Sequence, residues 1–230
     1  MSASQSDAGP QLWLELPRPS ATAPARLLVF LHGAGSTPEA FAPVAIAWQL
    51  KFPGATALLL QGLRARARGF DWMDASARDA RGRPLDADQA VQTLAARIQN
   101  AQAELGLSPA QTVLVGFGQG ATLALALARI EAPPVAIVVS YAGRLLAPLR
   151  EGERILPTVH LLQGGLDSVV PAVHATQAFR GLAAVGAQAT LDVLEDEAHT
   201  LGQEMINQGT ARVMQTLFQG RRPGEARRLH

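Results

Sequence analysis

The stretch that most constrains the fold is VLVGFGQGATLALALA, Val113 to Ala128. An apolar, β-branched run ends at Val115 and reads as a buried strand. Glycines then fall at 116, 118 and 120, and an Ala/Leu run with high helix propensity follows at once. A strand turning directly into a helix with no spacer predicts a parallel sheet whose helices pack back onto it. Two chemistries use such a turn. Gly116, Gly118 and Ala121 fit G-x-G-x-x-A, a dinucleotide-binding fingerprint. Gly116, Gly118 and Gly120 also fit G-x-S-x-G, with glycine at the central place.

The nucleotide reading fails most of its own conditions. It needs a carboxylate about 20 residues on, at the end of the following strand, to hold a ribose hydroxyl. That strand ends VVSYAG without one, and Glu131 comes too early. Two core strands precede the motif, whereas the fingerprint usually opens the first βαβ unit. No G-x-x-x-x-G-K-[ST] is present. Nucleotide binding at Gly116, Gly118 and Ala121 is therefore the weaker reading.

The rest of the chain supports an α/β fold with a mostly parallel sheet covered on both faces. Strands are expected at Gln11–Leu16, Arg26–His32, Ala55–Gln61, Pro134–Ser140, Thr158–Gly164 and Ala189–Asp196, beside the strand of the turn itself. Helices are expected over 38–52 despite Pro43, after a cap at Asp86, from His174 to a stop at Gly186, and over Gln203–Gln219. In the second of these, Val91, Leu94, Ile98, Ala101 and Leu105 form one stripe that Gly106 ends. Residues 62–84 read as a long polar surface loop. The whole reads as one domain over 1–220, with a flexible start at 1–10 and a solvated basic tail at 221–230.

Composition excludes several functions. The net charge of +1 gives no electrostatic case for a nucleic-acid partner. The chain has no cysteine, which removes disulfides and thiolate chemistry. No apolar run reaches the ~18 residues of a membrane span, and the start lacks a signal-peptide pattern, so a cytoplasmic protein is expected. The histidines are dispersed, and no metal site is expected.

The G-x-S-x-G reading predicts further parts, each of which has a candidate. An early strand-to-helix loop, FLHGAGSTPEAF, is placed to turn the Ala34 amide inward. The Gln119 amide, at the start of the helix after the turn, is the second donor for an oxyanion. An acid is expected after a later strand, and HLLQGGLDSVVP supplies Asp167. A base is expected after the last strand, and LDVLEDEAHTLG supplies His199. The order turn, Asp, His is the one this architecture uses. Ser36, Thr37, Ser140, Tyr141 and Ser168 lie off the turn and are poor substitutes as nucleophile. His32 is expected to position the early loop, and His160 and His174 to be structural. Phe70, Trp72, Met73, Leu145, Val169 and Val170 are the expected pocket walls. Arg64, Arg66 and Arg68 fit a solvated loop face better than an acidic substrate. The stretch after Ser140 is too short for a cap domain.

LLVFLHGAGSTPEAF, VGFGQGA, HLLQGGLDSVVP and LDVLEDEAHT resemble the phospholipase/carboxylesterase family of α/β-hydrolases, the bacterial relatives of acyl-protein thioesterases. The resemblance spans about residues 26–219 and is most specific at G-F-x-Q-G-A and G-G-x-D-x-V-V-P. It implies an α/β-hydrolase fold and a serine hydrolase of short-chain esters or thioesters. It implies no cofactor and makes a homodimer plausible. By position it makes Asp167 the acid, His199 the base, and the Ala34 and Gln119 amides the oxyanion hole. Gly118 stands where the family has its nucleophilic serine, whether by engineering or by descent. The chain as it stands is then expected to be inactive or severely impaired. The alternative is a non-catalytic protein that binds in the old acyl pocket.

Overall fold

A computed structural model describes residues 13–16 and 25–219. The expected flexible start and basic tail lie outside the described residues. Nine strands and five α-helices are described, in the order β1 (Trp13–Leu16), β2 (Arg26–Leu31), α1 (Pro38–Lys51), β3 (Ala55–Leu60), β4 (Arg64–Arg66), β5 (Gly69–Asp71), α2 (Ala87–Leu105), β6 (Thr112–Phe117), α3 (Gln119–Leu127), β7 (Ile137–Tyr141), β8 (Thr158–Gly164), α4 (Val173–Ala184), β9 (Ala189–Leu194) and α5 (Gln203–Gln219).

The main sheet runs β1-β3-β2-β6-β7-β8-β9, parallel except for β1 against β3. Strand β2 shows why both faces are covered. Leu27, Val29 and Leu31 enter one apolar cluster with α2, α3 and α4. Leu28 and Phe30 enter the other, with α1 and α5. Side chains alternate across a strand, so a continuous apolar run fills two cores.

The chain order reverses at β2. Strand β3 lies on one side of it and β6 on the other. Open parallel sheets form their ligand crevice at such a switch point, beyond the carboxyl ends of the strands. Here that places the loop after β2, residues 32–37, beside the turn from β6 to α3. Strand and helix meet so closely there that a Cβ on Gly116 would lie 2.5 Å from the Ala121 amide nitrogen. One on Gly120 would lie 2.5 Å from the Leu31 carbonyl oxygen.

Three features depart from the sequence reading. The strand expected at Pro134–Ser140 is shifted to Ile137–Tyr141. The 62–84 loop is not wholly irregular: β4 and β5 form an antiparallel hairpin within it. Asp86 precedes α2 without capping it by its side chain. Its two carboxylate oxygens instead accept from the Asp74 amide, both at 3.0 Å, and so close the loop. Helix α1 tolerates Pro43 because that residue faces solvent while Phe41, Val44, Ala45 and Trp48 are buried. Thr37 caps its start, accepting from the Ala40 amide at 3.2 Å.

Candidate active site

The turn after β6 is held in an unusual conformation. Gly118 has φ 55° and ψ −113°, outside the regions that side-chain-bearing residues adopt without strain. Its amide donates to the Tyr141 carbonyl at 2.9 Å, and its carbonyl accepts from both the amide and the hydroxyl of Thr122 at 3.0 Å. A Cβ built on Gly118 would point at His199, 3.5 Å from Nε2 and 3.7 Å from Cε1. These are ordinary contact distances, so the place has room for a side chain although its backbone disfavours one.

His199 comes from the loop between β9 and α5. Its Nδ1 lies 2.7 Å from Asp167 Oδ2. Asp167, on the loop after β8, is buried. Its Oδ1 accepts from the Val169 amide at 2.9 Å and the Val170 amide at 2.8 Å, and its Oδ2 from Gln163 Nε2 at 3.0 Å. Burial alone would push this carboxyl up. The hydrogen bonds from Val170, His199 and Val169, with the charge His199 can carry, outweigh it and hold Asp167 below the usual carboxylate range. An ionised carboxylate only accepts, so Nδ1 carries the shared proton. In the neutral imidazole Nε2 is then an acceptor, and it faces Gly118. The Phe117 ring lies 4.7 Å from the imidazole and backs it.

The loop after β2 is fixed by residues that periodicity did not reveal. His32 Nε2 accepts from the Gly62 amide at 3.1 Å, so its proton sits on Nδ1 and is donated to the Gly33 carbonyl at 2.7 Å. Burial lowers the His32 pKa, which keeps this tautomer neutral. Gly35 donates to the Phe70 carbonyl and to Asp71 Oδ1, each at 2.9 Å. Asp71 in turn pairs with Arg66 at 2.5 Å. The β4–β5 hairpin is thus a clamp on the loop. The Gln119 side chain closes the other side: its Oε1 accepts from the Trp72 amide at 2.6 Å and its Nε2 donates to the Met73 carbonyl at 3.0 Å. Among the described residues, neither the Ala34 nor the Gln119 amide donates to another backbone carbonyl.

These parts line one cleft of about 780 Å3. Gly33, Ala34, Gly118, Gln119 and His199 line it together with the apolar residues Phe41, Val44, Met73, Phe117, Leu146, Val169, Val170 and Leu201. Three of the expected wall residues lie elsewhere. Trp72 is buried in the core, its indole N–H donating to the His32 carbonyl at 2.8 Å and its ring 5.1 Å from the His32 ring. Phe70 sits in the hairpin, bridged to Ser36. Leu145 packs on the core, and its neighbour Leu146 reaches the cleft. Phe41 and Val44 belong to the buried stripe of α1, so in the sequence they read only as core. Arg78 and Arg144 also line the cleft; isolated arginines in loops give no pattern to read. Arg64 and Arg66 are engaged by Asp74 at 2.8 Å and Asp71 at 2.5 Å. Among the described residues, no group of three or more His, Asp or Glu side chains is placed to hold a metal.

Sheet order, switch-point crevice and convergent loops define an α/β-hydrolase fold. The chain belongs to the phospholipase/carboxylesterase family, whose sequence profile matches residues 18–213. It is 29% identical over 178 residues to the esterase YpfH of Escherichia coli strain K12, covering 76% of each chain. The crystal structure of esterase PE8 superposes with a TM-score of 0.80 at 29% identity, covering 89% of this chain and 98% of that one. The Bacillus cereus carboxylesterase, at 16% identity, shares the fold with a TM-score of 0.73 over 91% of this chain and 96% of its own. No described helix is long and apolar enough to cross a membrane.

Proposed function

We propose that this chain is a carboxylesterase scaffold for short acyl esters or thioesters, complete except for its nucleophile. The observation that carries the reading is the direction of the missing side chain: a Cβ at Gly118 would stand 3.5 Å from His199 Nε2. An oxygen one bond further out would come within hydrogen-bond reach of that nitrogen.

With serine at position 118, His199 Nε2 takes the hydroxyl proton as the oxygen attacks the ester carbonyl. Asp167 keeps the proton on Nδ1 and stabilises the imidazolium that forms. The tetrahedral oxyanion receives the amides of Ala34 and Gln119. His199 then returns its proton to the leaving group, and water repeats the sequence on the acyl-enzyme. With glycine, covalent attack is closed. Loss of the nucleophile in a serine triad costs about a million-fold in turnover, leaving ~10³–10⁴ over water from binding and the oxyanion hole.

The test compares the chain with Gly118→Ser on a short-chain p-nitrophenyl ester. The reading expects turnover from the variant and little from the parent, with the gain abolished by adding His199→Ala. An inert variant that still folds refutes it. The glycine also favours a second reading, in which the intact cleft binds acyl compounds without cleaving them. Saturable binding of the ester by the parent, beside an inert Gly118→Ser variant, is its signature.

A further inference from the structure

The cleft holds charge that acyl transfer does not use. Among the described residues, its ionisable wall residues apart from His199 are Arg78 and Arg144, and no carboxylate lines it. Nearby arginines are neutralised: Arg64 by Asp74, Arg66 by Asp71, Arg83 by Asp79 and Asp88, and Arg129 by Glu153. Among the described residues neither Arg78 nor Arg144 has a carboxylate partner. The Arg78 guanidinium donates to the carbonyls of Ala75 at 3.0 Å and Gly82 at 2.6 Å. Those bonds fix it without cancelling its charge.

Arg144 is delivered to the cleft by a strained turn. Ala142 has φ 52°, the one positive φ outside glycine among the described residues. Its amide donates to the Leu162 carbonyl at 2.9 Å. Gly143 packs so closely that a Cβ on it would lie 2.7 Å from Ala121 Cβ. The Arg144 amide then donates to Thr122 Oγ1 at 3.2 Å, and the same hydroxyl donates to the Gly118 carbonyl at 3.0 Å. One hydroxyl thus ties Arg144 to the turn where the acyl carbonyl would sit. Backbone strain that persists beside a functional cleft is a pointer to function rather than to stability.

We propose that the cleft selects small esters or thioesters bearing an anionic group, a carboxylate or a phosphate, and that Arg144 with Arg78 binds that charge. This rests on the esterase reading of the same site and names its substrate class. The guanidinium fork matches either anion with two parallel hydrogen bonds. Two unpaired positive charges in a cleft with apolar walls also draw anions in from solution. Phe41, Val44 and Met73 leave an apolar wall for the short methylene chain that would join the anion to the scissile carbonyl.

Binding is measured first on the chain as it exists, by calorimetric titration with glutarate, inorganic phosphate and uncharged dimethyl glutarate. At least one anion should bind saturably, and more weakly as salt rises. Arg144→Met should weaken it about tenfold, the low end for a hydrogen bond to a charged group in a cleft open to water. Arg144→Lys should fall between. Dimethyl glutarate should not distinguish parent from variants. The relative affinities of glutarate and phosphate decide which anion the site prefers. In the Gly118→Ser background, kcat/KM for p-nitrophenyl hydrogen glutarate relative to p-nitrophenyl butyrate should fall about tenfold with Arg144→Met. Failure of both anions to bind, or equal binding by parent and arginine variants, overturns the proposal. The two readings separate cleanly. Arginine-dependent anion binding with an inert Gly118→Ser variant sinks the esterase reading alone. An active Gly118→Ser variant whose substrate ratio ignores Arg144 sinks the anion site alone.

Discussion

Replacing Gly118 by serine should create activity and cost stability in the same step. Space is not the obstacle, since the nearest atom to an added Cβ is 3.5 Å away. The obstacle is the backbone. With φ 55° and ψ −113°, Gly118 is not in the small left-handed region that other residues sometimes visit, because ψ is far from its +30° to +60° range. Holding a side-chain-bearing residue there should cost about 1–3 kcal/mol. In a domain of this size each kcal/mol moves the melting temperature by roughly 2–4 °C. A drop of about 2–12 °C is therefore expected by calorimetry. A useful control is Gly106→Ala at the end of α2, where φ 64° and ψ 31° lie in the ordinary left-handed region and about 1 kcal/mol is expected. The ester assay run on the same samples should show the destabilised protein to be the active one. A Gly118→Ser variant that melts above its parent would refute the claim that this turn strains a side-chain-bearing residue.

Asp167→Asn in the Gly118→Ser background should lower kcat by about 10⁴-fold while leaving KM near its starting value, because the imidazole loses its tautomer control. Stopped ester assays at saturating substrate would measure this. Asp71→Ala removes an acceptor of the Gly35 amide and the partner of Arg66, and should destabilise by about 1–3 kcal/mol in urea titration. His160 lies buried between Thr190 and Thr216, at 2.9 and 3.0 Å, and burial with the nearby Arg212 lowers its pKa to about 4. A group depressed in the folded state favours folding above its unfolded value of 6.5 and loses that contribution as pH falls toward 4. About 3 kcal/mol of stability should disappear across that window, by the worth of a pKa unit, and His160→Gln should flatten it. For Asp167 the sign is the same at lower pH: its contribution is complete above the unfolded carboxylate value of 3.8 and is lost as acid drives pH through the depressed folded value.

The elements that carry the fold were legible because burial on two faces writes a continuous apolar run. Strand β8 and helix α5 fall on the expected residues, Thr158–Gly164 and Gln203–Gln219. The hairpin β4–β5 was not legible. Arg64, Ala65 and Arg66 are all exposed, so nothing in their side chains alternates. The candidate site was legible where backbone geometry demands glycine or where loop order places one residue. Asp167 and His199 follow from strand order, and the structure brings them together at 2.7 Å. Trp72 departs from the expected wall for a physical reason: an aromatic in a polar loop suggests a wall, but its N–H finds the His32 carbonyl and its ring the core. The Gln119 side chain and Arg144 left no signal, because each acts through one hydrogen bond or one charge across a long stretch of chain.

The most direct measurement is covalent trapping. Gly118→Ser should react with a fluorophosphonate, which captures only a hydroxyl activated by a base beside an oxyanion hole. Peptide mass spectrometry should then place a single adduct on residue 118. Labelling should vanish when His199→Ala is added, and the parent chain should remain unlabelled. An adduct on any other residue, or one that survives the loss of His199, would contradict the account.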